Sequence, residues 1–505
     1  MLRLTKVLMA GAAVMALAAC GSAEVASPGE GDFGTGPTTP TTPTTPTTPP
    51  GTPAADCPTG LTNVGTVAGG TLRACQLPET ISGSLTLSVR AGTIYSISGR
   101  TQVGTDRGAD PAAPAAGSVQ GILTIDPGVK IFASGGSDYL LVNRGSQIFA
   151  EGTATQPIVF TSRQNVEGAT NANSQGQWGG IVIAGRAPTA VCPAGVTAPS
   201  ASCVGQVEGT SANYGGNTAA DNSGRLRYVQ VNYSGFELSP NNELQALTLA
   251  GVGTGTVVEF FQSYNSSDDG IEIFGGTVNL RNIVINGADD DGLDTDTGWR
   301  GGAQFGIITQ RPTAVTNGSR GLEWSAAPSG TTFYAQPKIS NFTIVGRNAA
   351  VAADAIMTLN TGTQPTIINT VVTNPTTSAA ACLDIDDAQT VANNPIFRSV
   401  YLACSRPYEN DSNVDGAATA AVFISATNIN NTAAGTSTLT APAGATMTNT
   451  SLTFINGANE TAVTPTNGNA IYSYFTQVPY IGAVRNAADT WYLGWTCGLA
   501  AGSNC

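Results

Sequence analysis

Short apolar, β-branched runs recur along most of this chain between Gly, Asn, Asp and Thr, and no stretch keeps a helical period long enough for a major helix. Strands are predicted at Leu85–Val89, Ile122–Ile125, Val129–Phe132, Tyr139–Val142 and Ile158–Thr161. The pattern is clearest in the middle, at Arg227–Tyr233, Ala246–Leu249, Val257–Gln262, Gly270–Phe274, Val278–Ile285 and Gly302–Thr309. It weakens through Ile339–Val345, Ala355–Leu359, Pro365–Val372, Ala381–Ile385 and Ile396–Leu402, with further strands expected at Ala420–Ser425 and Ser451–Ile455. Ile271 and Ile273 should face inward and Glu272 and Phe274 outward, with Leu293 repeating the inward position one coil later. Strands this short cannot close a core singly, so neighbouring coils must complete it. The prediction is an all-β fold, a single-stranded right-handed parallel β-helix. About 13 coils of roughly 22 to 25 residues would make a rod of about 60 Å at the usual strand spacing.

Four segments are expected: residues 1–19, 20–54, 55–407 and 408–505. The first has Arg3 and Lys6, then an apolar run from Val7 to Ala19, too short for a membrane span, and reads as a signal peptide. Leu17-Ala18-Ala19-Cys20 resembles the bacterial lipobox, which implies cleavage before Cys20 and its lipidation. By the same resemblance Gly21 implies sorting to an outer membrane, with the protein facing the cell surface or the periplasm. Pro37 to Pro50, PTTPTTPTTPTTPP, is an extended spacer that cannot bury a core. The third segment is the β-helix, and the fourth holds terminal coils and an irregular C-terminal cap. In it Trp491 and Trp495 should cover the last coil against strand addition.

Composition narrows the partners. Charged residues make up 11% of the chain and the net charge is −13, which argues against nucleic acid. There is no histidine, so His-based triads and His-containing zinc sites are excluded. Beyond Cys20 the cysteines fall into close couples, and local disulfides are expected for Cys57 with Cys75, Cys192 with Cys203, Cys382 with Cys404, and Cys497 with Cys505.

The strings LTIDPGVKIFA from Leu123, LVNRGSQIFAEGTATQPIVFTS from Leu141 and WGGIVIAGRAP from Trp178 resemble a widespread group of secreted bacterial parallel β-helix proteins. So does the long central string from Asn242 to Trp299, the most specific of them. The resemblance implies fold and export; it carries over no catalytic set.

Candidate chemistry lies in two acidic loops 22 residues apart, Ser267-Asp268-Asp269-Gly270-Ile271-Glu272 and Asp289-Asp290-Asp291-Gly292-Leu293-Asp294. If they stack, Asp268 sits beside Asp290, Asp269 beside Asp291 and Glu272 beside Asp294, and their repulsion becomes binding energy for a divalent cation. Hard oxygen ligands point to Ca²⁺ held by these six carboxylates. Asp289, Asp296 and Glu243 lie close in sequence, and Asp384, Asp386 and Asp387 much further along. Solvated turn residues with no tight ligand are the bland alternative.

Asp268, Asp269, Asp290 and Asp291 also loosely resemble the aspartates of polygalacturonase-like hydrolases, and Arg281 and Arg300 flank the cluster as a lyase base would. Those hydrolases also use histidine, which is absent. Trp299, after the acidic loop, is the candidate for stacking on a sugar ring. The expected function is therefore a noncatalytic, lipid-anchored surface protein, cation-stabilised, engaging surface polysaccharide, an envelope protein or another copy of itself. The alternative is a polysaccharide hydrolase or lyase.

Overall fold

Each apolar run finds the equivalent run of the next coil beside it, and the chain is thereby built from parallel strands. A computed structural model describes residues 51–505 except 240–241, 312–318, 327, 329, 349–354, 446–451, 500–502 and 504, all within one compact unit. The segment expected to be a signal peptide, Cys20 and the Pro/Thr-rich repeat lie outside the described residues, as does the start of the strand expected at Ser451–Ile455. Among the described residues no helix is long and apolar enough to cross a membrane.

Two large sheets carry the fold. Among the described residues the straight sheet has 11 strands, one per coil, including Gly180–Ala184, Leu247–Ala250, Ile271–Phe274, Leu293–Asp296, Leu322–Trp324, Ala355–Leu359 and Ala381–Ile385. This is fewer than the expected 13 coils, because insertions lengthen several of them. Ile271 meets its partner Leu293 after a short coil, whereas the next partner of Leu293 is the more distant Leu322, and that of Ile181 is Leu247.

The bent sheet has 17 strands among the described residues. Gly224–Asn232, Val257–Tyr264, Asn279–Asn286, Gly302–Thr309 and Lys338–Val345 each run through a corner and pair along both halves. Before and after them the halves are separate strands, as in Gln147–Glu151 with Ile158–Ser162, and Thr366–Ile368 with Val371–Thr373. The corner is a left-handed residue in seven successive coils: Tyr228, Phe260, Asn282, Phe305, Asn341, Asn369 and Ser399, all with φ between 50° and 63°. Asparagine tolerates that conformation and bulky residues rarely adopt it, so the column is imposed by neighbouring coils rather than by local preference.

Inward residues from both sheets, among them Ile271, Ile273, Leu293, Phe261, Ile283 and Phe342, form one continuous core. A polar ladder runs through the bent sheet: Gln262 Nε2 donates to Asn286 Oδ1 at 3.2 Å, and Asn286 Nδ2 to Thr309 Oγ1 at 2.9 Å. All four expected disulfides are formed.

Two expectations fail beyond the last coil. Ala420–Ser425 is not a strand: Gly416–Phe423 is a helix, α1, whose N-cap Asp415 accepts from Ala418 N at 2.8 Å. It is α1 that covers the last coil, with Phe423 packed on Phe397 and Tyr408. Trp491 and Trp495 do not cap that end. The C-terminal segment turns back along the bent sheet, where its carbonyls at Thr466, Tyr480, Thr476, Cys497 and Trp495 accept from Asn369, Asn341, Gln304, Gln262 and Gln230. Trp495 is fully buried, edge-on to the stacked rings of Tyr228 and Phe260.

Candidate functional site

The outward side of the straight sheet carries a file of aligned side chains: Thr248, Glu272, Asp294, Glu323, Thr358 and Asp384 in successive coils. The two acidic loops enter this sheet one coil apart and stack as the 22-residue interval implies. Gly270 N donates to the Asp291 carbonyl at 2.9 Å, and Asp291 N to Asp269 Oδ1 at 2.9 Å. The glycine in each Asp-Asp-Gly run is a packing requirement. A Cβ at Gly270 would lie 2.3 Å from Ile285 Cγ2 and 2.7 Å from the Gly292 carbonyl oxygen; at Gly292 it would meet Ile308 and Gly321 as closely.

Carboxylate oxygens of Asp268, Asp269 and Asp290 lie within 4.8 Å of one another, and so do those of Asp269, Glu272 and Asp294. Asp269, Glu272 and Asp291 are buried; Asp268, Asp290 and Asp294 are half-buried and form the outer side. Glu272 is 6% exposed, and its Oε2 has no hydrogen-bond partner among the described residues. Burial first, and then mutual repulsion, holds Asp268, Asp269, Glu272, Asp291 and Asp294 well above the usual carboxylate range. Asp290 is raised by burial and by Glu323, against the pull of Arg320.

Other members of the acidic set are engaged elsewhere. Asp289 accepts from Gln175 Nε2 at 2.9 Å and lies 3.9 Å from Arg311 Nε. Asp296 accepts from Ser325 Oγ at 2.6 Å. Gln245 Nε2 donates to Asp268 Oδ2 at 3.2 Å. Glu243 and Glu208 add repulsion to Asp268, and Glu208 also to Glu272. Glu208 belongs to the excursion between Gly180–Ala184 and Gly224–Asn232, which carries the Cys192–Cys203 clip and lays Tyr214 over Phe274 at 5.9 Å. This cover explains why the outward residues Phe274 and Glu272 are buried.

Three sequence assignments need correction or replacement. Trp299 is fully buried, its Nε1 donating to the Val278 carbonyl at 3.0 Å, so it offers no face to a sugar. The left-handed Thr297 and Gly298 turn it into the core. Arg281 and Arg300 do not serve the cluster. Arg281 stands on the bent sheet, bonded to the Tyr474 carbonyl and Thr476, and Arg300 lies over the Phe333 ring at 3.6 Å.

The cation beside the carboxylates is Arg320, which sequence reading missed. It donates to Glu323 Oε2 at 2.6 Å and Thr358 Oγ1 at 2.7 Å, and its backbone N–H donates to Asp291. Glu323, Asp291 and Asp290 outweigh its own burial and raise its pKa, so it stays charged. An insertion before it hid the relation: the coil from Leu293 to Leu322 is longer than the one before.

A family described as a pectate-lyase like beta helix domain matches the chain over residues 113–496. Neither a curated protein nor a solved structure matches it.

Proposed function

We propose a function from one premise: the chain belongs to the family of pectate-lyase-like beta-helix domains. The ligand class assigned to it is therefore polysaccharide, and the reading favoured is a noncatalytic, cation-dependent binding module. The observation that carries this is Glu272, buried among carboxylates with one oxygen unpartnered among the described residues. Carboxylates crowded this closely out of water either hold protons or hold a cation, and an all-oxygen set suits Ca²⁺ at about 2.3 to 2.6 Å. The half-buried Asp268, Asp290 and Asp294 leave such an ion an open side, where hydroxyl or carboxylate groups of a polymer complete its shell. Because the chain carries a net charge of −13, an acidic polymer would meet it through that ion, and binding would require calcium.

Acylation of Cys20 would tie this module to outer-membrane lipid, with the Pro/Thr spacer holding it toward a surface polysaccharide or an envelope protein. A hydrolase or lyase is less well supported. Hydrolases of this kind use histidine beside their aspartates, and this chain has none. A charged Arg320 is also a poor base.

Calcium titration by calorimetry, followed by binding of a polyuronate with and without calcium, tests the proposal. A saturable calcium-binding event that is lost in Asp269→Asn/Asp294→Asn, with polymer retained only when calcium is present, is the expected result. No calcium binding at this cluster would sink it, and release of new reducing or unsaturated ends by the wild-type chain would overturn the noncatalytic assignment.

A further inference from the structure

We infer that the protein carries a second, separate divalent-cation site, at the junction between the last coils and the helix that covers them. It neither uses the central acidic loops nor depends on the polysaccharide reading. Asp384 is the outward residue of Ala381–Ile385, and Asp386 follows at the strand's end. Asp411 comes from the loop that leads into α1. The three bring carboxylate oxygens within 4.8 Å of one another.

The cluster alone would be an ordinary acidic surface. What marks it as a ligand site is Asp384: it is 9% exposed, and its buried Oδ1 has no hydrogen-bond partner among the described residues. Glu409, beside Asp384 through the pairing of Leu383 with Tyr408, is also buried and has an unpartnered Oε2, while its other oxygen is engaged by Arg406. A buried carboxylate oxygen without a donor is costly, and an oxygen-seeking cation removes that cost.

The remaining ligands are held in place. Asn413 Nδ2 donates to Asp386 Oδ1 at 2.8 Å, and Asp411 Oδ1 accepts from Asn413 N at 2.7 Å and Val414 N at 2.9 Å. Asp386 and Asp411 are half-buried, which leaves an ion an approach from solvent. Oxygen-only ligands and the absence of histidine select a hard cation, Ca²⁺ before a transition metal. Bound there, the ion clamps the loop before α1 to the strand beneath it.

Two measurements on the purified full-length protein test this, with Ca²⁺ itself as the probe. Calorimetry should find a binding event that disappears, or weakens at least about tenfold, in Asp384→Asn/Asp386→Asn but persists in Asp269→Asn/Asp294→Asn. Hydrogen exchange of the wild type should show residues 409–423 protected by calcium, and Asp411→Asn should abolish that protection. Calcium isotherms unchanged by the Asp384→Asn/Asp386→Asn pair would overturn the site, and so would calcium-independent exchange of 409–423 in the wild type. Loss of binding only in the central variant would support the polysaccharide-site reading and refute this one.

Discussion

Glu272 places an ionisable carboxyl, whose charged form burial and its acidic neighbours disfavour, where water hardly reaches it, and that makes it the most informative single residue in the chain. Without a cation, the folded state must bear that charge or protonate it. Glu272→Gln should therefore raise the melting temperature in excess chelator, and in saturating calcium the gain should vanish or reverse as a ligand is lost. Scanning calorimetry under both conditions checks this; equal melting temperatures in chelator would contradict it.

Lys338 poses the opposite problem. Burial first, and then Arg300, lowers its pKa to about 8, while its ammonium donates to the Gln336 carbonyl at 2.8 Å and lies 5.2 Å from the Tyr472 ring, which burial keeps neutral. The folded state binds its proton less tightly than the unfolded chain, so this group costs stability below about pH 8 and the cost fades as pH rises toward the unfolded value. Lys338→Met should thus melt higher than wild type at pH 7, with the difference shrinking at alkaline pH; a difference that grows with pH would refute the assignment. At this scale the sequence revealed the stacked carboxylates, because no insertion separates Ile271 from Leu293. It concealed the fate of Trp299, which depends on a left-handed turn that the string Asp-Thr-Gly-Trp does not announce.

Among the elements, the bent strands show how far periodicity reaches. Gly302–Thr309, Ala355–Leu359 and Ala381–Ile385 occupy the residues their apolar patterns predict. The corner within each bent strand was invisible, because Tyr, Phe, Asn and Ser share no property except the conformation forced on them by the coil. The helix at Gly416–Phe423 was misread because Ala-Val-Phe-Ile-Ser looks β-prone; the capping Asp415 ahead of four alanines was the better guide. The corner rings have a use, for Trp495 packs edge-on to Tyr228 at 6.0 Å and Phe260 at 5.9 Å while Gln230 Nε2 holds its carbonyl. Trp495→Ala should cost about 3 to 5 kcal/mol in denaturant unfolding, as for other buried Trp truncations. A loss under about 1 kcal/mol would show that the C-terminal segment is only loosely seated.

Across the whole folded unit, contacts join residues far apart in the sequence. Cys505 accepts from Asn165, Trp495 from Gln230, Tyr480 from Asn341 and Thr466 from Asn369, so one returning segment touches early, middle and late coils. Cys382–Cys404 fastens the last coils and Cys57–Cys75 the first hairpin. Unfolding followed by far-ultraviolet dichroism and by tryptophan fluorescence should accordingly coincide in a single transition; two separated transitions would show that the coils melt in blocks. An array of stacked repeats ordinarily frays from its ends, each unit leaning only on its neighbours. Here the C-terminal segment works like a zip fastener's pull tucked back over its own teeth: to part the coils it lies along, the molecule must first release the seam that runs down their flank.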